Sequence, residues 1–266
     1  GTENDGLNWN IASNYADQSR GEIVIGDDNM VYITASTLSG DFPVLNAAQS
    51  TMGGNQEAVI VKLNNTLSAL SWSTFFGGTL NDAGYGIKVG SNNAVYICGA
   101  TTGSVLAGTS GKYQSAYQGG SRDGFIAQFN QTTGALLGAT YVGTSVYDQT
   151  FLLDVDKFNS VFVFGQTLGI YPVSPNVFTN LGGKQFIHKF SSDLSTSLFS
   201  TVFGRGSASI DIVPTALNVD DCLNILLSGW GGLSNQGYMG GRMLNLPITA
   251  DAYQKTTDES DFYFMV

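Results

Sequence analysis

The chain repeats itself at an interval of 64 to 66 residues, and that period restricts its fold more than any other feature. The run Val31-Tyr32-Ile33-Thr34-Ala35 returns as Val95-Tyr96-Ile97-Cys98-Gly99, as Val161-Phe162-Val163-Phe164-Gly165 and as Ile225-Leu226-Leu227-Ser228-Gly229. Three further elements keep step. Ser73-Thr74-Phe75-Phe76-Gly77 matches Ala139-Thr140-Tyr141-Val142-Gly143 and Ser200-Thr201-Val202-Phe203-Gly204. Glu57 to Leu63 matches Asp123 to Phe129, Gln185 to Phe190 and Ser260 to Val266. Turns such as Gly26-Asp27-Asp28-Asn29 and Gly90-Ser91-Asn92-Asn93 hold residues that tolerate positive φ or bond their own backbone.

Each unit reads as four antiparallel strands. The first lies at Ile23 to Ile25, Ile87 to Val89, Leu152 to Val155 and Ala216 to Val219; the second is the Val-Tyr-Ile run, the third the Phe-Ile-Ala run and the fourth the Ser-Thr-Phe-Phe run. The second and third strands are apolar almost without interruption, so each sheet has two faces to hide. Stacking neighbouring sheets around an axis hides both. The sequence therefore predicts an all-β propeller of four blades over one region, 1–266, with units near 1–77, 78–143, 144–204 and 205–266. A β-helix has much shorter repeats, and separate β-sandwiches need about 100 residues each. Gly1-Thr2-Glu3-Asn4-Asp5 resembles Gly78-Thr79-Leu80-Asn81-Asp82, and the sequence stops near the end of a third strand. About fifteen strands are expected, as an arc or segment of a larger propeller; a complete four-blade ring is the alternative. The first unit carries an insertion near Asn8 to Arg20, which reads as an extra loop.

Composition narrows the function classes. Thirty-four of 266 residues are glycine and only 12% are charged, with a net charge of −10. Such a surface repels phosphate backbones, so nucleic acid is not an expected partner. No apolar run reaches the ~20 residues of a membrane helix, and the opening residues show no signal peptide. Cys98 and Cys222 occupy different positions in their units and read as free thiols. The sole histidine, His188, lies in a strand-like alternation and reads as a core residue rather than a catalytic one.

Phe75 to Asp82, the run Val95 to Thr101, the element Thr37-Leu38-Ser39-Gly40-Asp41-Phe42-Pro43 and the strand Asp123 to Phe129 carry a resemblance. They resemble the seven-bladed β-propeller repeat of secreted and cell-surface proteins from gliding bacteria. The likeness covers essentially the whole chain, though unit three has Tyr171-Pro172-Val173 and unit four Leu246-Pro247 where the pattern has Asp-Phe-Pro. It implies export by the type IX secretion machinery and an extracellular or cell-surface location. It brings no catalytic residues onto this chain.

Two sets of side chains are candidates for chemistry. Asp5, Asp82, Asp148 and Asp211 recur ahead of the first strand of each unit. They could ring one mouth of the axis and bind Ca²⁺, or each could cap a turn of its own blade. Trp9 in the insertion, with Trp230 and Tyr238 in the Gly-rich connection of unit four, Gly229 to Gly241, could stack on a ligand or pack on the blade edge. Adjacent acids such as Asp27-Asp28, Asp220-Asp221 and Asp258-Glu259 read as solvated turns rather than a glycosidase pair. The expected function is a non-enzymatic binding or adhesion scaffold for a glycan or surface protein. A carbohydrate-active enzyme and a structural spacer within a large surface protein are the alternatives.

Overall fold

A computed structural model describes residues 11–235 and 237–266. Trp9 and Asp5 lie outside the described residues. Within them the chain is an all-β, four-blade propeller. Blade 1 comprises β1 (Glu22–Ile25), β2 (Val31–Thr37), β3 (Glu57–Leu63) and β4 (Leu70–Phe76). Blade 2 comprises β5 (Asp82–Gly90), β6 (Ala94–Thr101), β7 (Asp123–Asn130) and β8 (Leu136–Val142). Blade 3 comprises β9 (Asp148–Val155), β10 (Val161–Thr167), β11 (Gln185–Phe190) and β12 (Ser197–Phe203). Blade 4 comprises β13 (Val213–Val219), β14 (Ile225–Trp230) and β15 (Phe262–Met265). Every sheet follows chain order and pairs antiparallel, and among the described residues blade 4 has three strands where the others have four.

The turns joining first and second strands are built alike. Asn29, Asn93 and Asn159 adopt φ of 58°, 56° and 62°, a left-handed conformation that asparagine tolerates. Leu223 takes the same place in blade 4 at φ 68°. There Asp220 Oδ1 accepts the Cys222 and Asn224 N–H groups at 2.9 and 2.8 Å, which holds the turn.

Burial between sheets holds the blades together. The first strands pack in succession, β1 on β5, β5 on β9 and β9 on β13, and no comparable packing joins β13 to β1. Three apolar clusters fill the junctions. Tyr32, Ile60 and Trp72 of blade 1 meet Ile87, Ile97 and Phe125 of blade 2. Tyr96, Cys98 and Ile126 meet Val163 and Phe186 of blade 3. Phe162, Phe164 and Phe203 meet Leu217, Leu227 and Tyr263 of blade 4. Among the described residues no fourth cluster closes blade 4 onto blade 1. Ile23 and Ile25 on one side, and Phe262 and Phe264 on the other, are exposed.

A glycine recurs in the second strand because the first strand bulges beside it. Register shifts fall between Gly84 and Gly86, between Phe164 and Gly165 and between Pro214 and Ala216. The bulge presses backbone onto the facing residue, so Gly99, Gly165 and Gly229 stand there. Blade 1 has no such bulge between β1 and β2, and Ala35 takes the position.

Cys98 is buried and Cys222 exposed, and both are free thiols. Burial drives the Cys98 thiol strongly up, so it stays protonated. His188 is a core strand residue. Its Nδ1 lies 2.9 Å from the Tyr171 hydroxyl and its Nε2 2.7 Å from Ser197 Oγ, while its ring stacks on Phe190 at 4.0 Å. Burial pushes its pKa down to about 3, which keeps the imidazole neutral.

Candidate functional site

The described part of the insertion, residues 11–20, is not a surface loop. It runs across the end of the axis from which the long connections between second and third strands project, where it touches blades 2, 3 and 4 and borders a recess shared with blade 1. Ile11 is buried against Ala83, Tyr85, Ala100 and Phe151. Arg122 Nη1 donates to the Ile11 carbonyl at 2.5 Å and to Ser13 Oγ at 2.8 Å. Ser13 Oγ donates to Gln149 Oε1 at 2.9 Å, and Gln149 Nε2 donates to the Tyr85 hydroxyl at 2.9 Å. Gln166 Nε2 donates to Asn14 Oδ1 at 3.1 Å and to the Ile212 carbonyl at 2.9 Å. On blade 4, Asn235 Oδ1 accepts the Tyr15 N–H at 2.8 Å, and the Ser13 carbonyl accepts the Met239 N–H at 3.2 Å.

Asp17 anchors this crossing. Its Oδ2 accepts the Ser13 and Asn14 N–H groups at 2.8 and 2.7 Å, and its Oδ1 pairs with Arg20 Nε at 2.7 Å. Arg20 also donates to the Pro214 carbonyl at 3.0 Å and lies 4.8 Å from the Phe151 ring centroid. Ser13, Asn14, Asp17, Gln149, Gln166 and Asn235 are all buried. Buried polar groups that satisfy one another fix a single arrangement. The recess bordered by Asp17, Gln18, Ser36, Gln56 and Tyr85 has no enclosed space for even a water-sized group. Pockets for drug-sized ligands run to roughly 300–1,000 Å³, and the one carboxylate bordering this recess is already engaged by Arg20.

Asp82, Asp148 and Asp211 are not brought together. Asp82 and Asp148 open β5 and β9, and Asp211 precedes β13. Each caps the turn before it. Asp82 Oδ2 accepts the Gly78 N–H at 2.8 Å, Asp148 Oδ2 accepts the Thr144 N–H at 2.6 Å, and Asp211 Oδ2 accepts the Arg205 N–H at 2.8 Å. Asp211 Oδ1 also pairs with Arg205 Nε at 2.5 Å. Among the described residues no three His, Cys, Asp or Glu side chains converge as metal ligands. The repeated aspartate is thus explained by the repeated turn.

The adjacent acids are likewise engaged locally. Asp28 pairs with Lys62 at 2.8 Å and accepts the Tyr32 hydroxyl at 2.7 Å. Asp220 holds its own turn, and Asp258 Oδ1 accepts the Ser260 N–H at 3.0 Å.

The sequence reading did not anticipate the acids that lie beside the aspartate caps. Burial raises Glu57 to about 7, against the N–H groups of Gly53 and Gly54 that favour its charged form, and neighbouring Asp82 raises it further. Asp82 itself is pushed up to about 6. The same pairing recurs one blade on, where burial raises Asp123 to about 7, helped by Asp148, and Asp148 to about 6. In the folded state these carboxyls keep protons that the unfolded chain releases near its ordinary values of 3.8 to 4.5. The folded state therefore binds more protons over that window, and stability falls as pH rises from about 4 to about 7. His188 acts in the opposite sense below its ordinary value of 6.5, as one group against four. The urea midpoint is expected to be higher at about pH 5.5 than at about pH 7.5. A midpoint that rises with pH across that interval contradicts this.

The aromatic candidates separate. Trp230 is the last residue of β14, half-buried and paired in register with Val213 and Phe262, so it belongs to a sheet rather than to a free loop. Tyr238 lies on the rim, edge-on to Tyr15 with ring centroids 6.4 Å apart and planes at 80°. Tyr15 and Leu233 beside it are 55% and 74% exposed. No family model matches this chain, and no curated protein matches it either. No helix among the described residues is long and apolar enough to cross a membrane.

Proposed function

We propose that the protein is a non-enzymatic binding scaffold, exposed outside the cell, that takes a glycan or a surface protein on the rim of its sealed mouth. The supporting observation is exposed Tyr15 and Leu233 with half-buried Tyr238 edge-on to Tyr15, on segments that the buried Asn14–Gln166–Asn235 network locks to the blades. Rigid aromatic side chains give large contact area at small entropic cost. A reaction centre needs converging functional groups, and the carboxylates of this mouth are committed to turns and to Arg20. The likeness to propeller repeats of gliding bacteria supports a surface location and export by the type IX machinery.

The test is a screen of the whole chain on a glycan array and on extracted surface proteins, with Tyr238→Ala and Trp230→Ala beside the parent. A Tyr238→Ala loss of about tenfold or more is expected for an aromatic anchor, with a smaller effect at Trp230, which is held in register within its sheet. Binding that neither substitution changes removes the rim as the site.

A further inference from the structure

The turn leading into blades 2, 3 and 4 engages one oxygen of each aspartate and leaves the other. In blade 4 the second oxygen meets a cation, because Asp211 Oδ1 pairs with Arg205 Nε. In blades 2 and 3 Gly78 and Thr144 stand at the position of Arg205 and bring no charge. There Asp82 Oδ1 and Asp148 Oδ1 are buried without a hydrogen-bond partner. The preceding blade sets a second acid beside each. The Gln56 carbonyl accepts the Asp82 N–H at 2.9 Å, and the Arg122 carbonyl accepts the Asp148 N–H at 3.0 Å. Glu57 thus lies alongside Asp82, and Asp123 alongside Asp148. At the third junction this second acid is replaced by Gln185, and a Cβ at Gly204 would meet both its amide and Asp211 Oδ2. The third junction is therefore balanced, one acid against one guanidinium. The first two each bury two acids completely, and none of the four is in an ion pair among the described residues.

One methylene separates the first junction from the second. Glu57 uses both oxygens: Oε1 accepts the Gly53 and Gly54 N–H groups, and Oε2 accepts Gln49 Nε2 at 2.7 Å. Asp123 is shorter. Its Oδ2 accepts the Gln118 N–H at 2.6 Å, while Gln114, the counterpart of Gln49, turns its Nε2 to the Gly143 carbonyl at 3.0 Å. Asp123 Oδ1 is left buried without a partner, as Asp148 Oδ1 is. The two carboxylates flank one turn: a Cβ at Gly143 would meet Asp123 Oδ1, and the next residue, Thr144, donates to Asp148. The nearby cations are committed elsewhere. Arg122 donates to the Ile11 carbonyl and Ser13 Oγ, and Lys184 Nζ donates to the Leu168 carbonyl at 3.1 Å.

We propose that Asp123 and Asp148 hold one divalent cation of the calcium class at the junction of blades 2 and 3. Two carboxylates balance its charge, and their two open oxygens are the hard ligands it takes. The Thr167 hydroxyl beside Asp148 adds a neutral oxygen, and water and backbone carbonyls complete a shell of roughly six to eight. Arg205 supplies the corresponding positive charge at Asp211 from within the chain. The site is a pair within one junction, not a ring across the blades. Without the cation these carboxyls keep protons, and loading releases them.

The test is calorimetric titration of the whole chelator-treated protein with Ca²⁺ at neutral pH, with hydrogen exchange read in parallel. A single Ca²⁺ per chain is expected. Exchange is expected to slow over 116–124 and 143–149 but not over 53–58 and 77–83, the matching segments of the first junction. Asp148→Asn keeps an oxygen for the turn and removes the charge, and is expected to bind about tenfold or more weakly. Glu57→Gln, which gives the first junction the amide of the third, is expected to bind as the parent does. No saturable uptake, protection at the first junction instead of the second, full affinity in Asp148→Asn or an equal loss in Glu57→Gln overturns the proposal. Should Asp148→Asn not fold, uptake and the exchange pattern of the parent decide. None of these outcomes bears on Tyr238, so this proposal and the rim-binding reading can fail separately.

Discussion

Gly99→Ala is expected to destabilise the protein by about 3 kcal/mol or more, the upper range for overpacking a filled core. A Cβ at Gly99 falls 1.8 Å from the Ala83 carbonyl oxygen and 2.9 Å from Phe125 Cζ. The first obstacle is backbone of the bulged strand, so relief requires β5 to move. But β5 is packed between β2 and β9, and its displacement disturbs two blade junctions at once. Gly165 faces the same obstacle, with the Gln149 carbonyl oxygen 2.4 Å and Phe186 Cζ 2.3 Å from its Cβ position. Blade 1 supplies the control. Ala35 holds the equivalent place without a bulge, and Ala35→Gly is expected to cost only about 0.5–1 kcal/mol of backbone entropy. Urea unfolding of the two variants separates them. A Gly99→Ala midpoint close to that of the parent contradicts the bulge as the reason for glycine.

The second large effect is expected at Asp17. Asp17→Ala removes the acceptor for two backbone N–H groups and the partner of Arg20, while Arg20 remains against Phe151 and the Pro214 carbonyl. Breaking a buried pair from one side costs about 3–5 kcal/mol; because the Arg20 side chain keeps 19% of its exposure, the lower end, about 3 kcal/mol, applies. The loss is expected to be local as well as global, since residues 11–20 would detach from the mouth while the three apolar junctions remain. A fall in stability without faster exchange over 11–20 separates general damage from loss of the anchor.

The periodicity conveyed the architecture because each repeat must bury both faces of a sheet. The Val-Tyr-Ile and Phe-Ile-Ala runs became second and third strands, and the three Ser-Thr-Phe-Phe runs became the outer strands of blades 1, 2 and 3. The first strands proved longer than their apolar stretches suggested. Ala83 and Gly84 of β5 are small and lie at the crowded axis, where little apolar character is needed, so no hydrophobic signal marks them.

The site was less legible. Recurring aspartates suggested a ring across blades, but recurrence alone does not distinguish a shared ligand set from one turn built several times. The crossing of the mouth was hidden because residues 11–20 have no counterpart in the other units. A clue existed within the repeats. Gln149 and Gln166 stand in blade 3 where blade 2 has Ala83 and Ala100, pairs that occupy the same register. A polar pair at a position that is otherwise small and apolar implies a partner, here Asn14, Ser13 and Tyr85. Trp230 misled for a related reason: the Gly-rich stretch after it resembles a loop, yet β14 extends through Trp230 itself.

Hydrogen exchange read by mass spectrometry, on the parent and Asp17→Ala, tests most directly whether stacked blades are sealed by their own chain. The expected result is slow exchange in β5–β7 and β9–β11, with residues 11–20 nearly as slow in the parent and fast in the variant. Exchange over 11–20 in the parent as rapid as in the exposed turn 64–69, or four units that open independently of one another, contradicts the account.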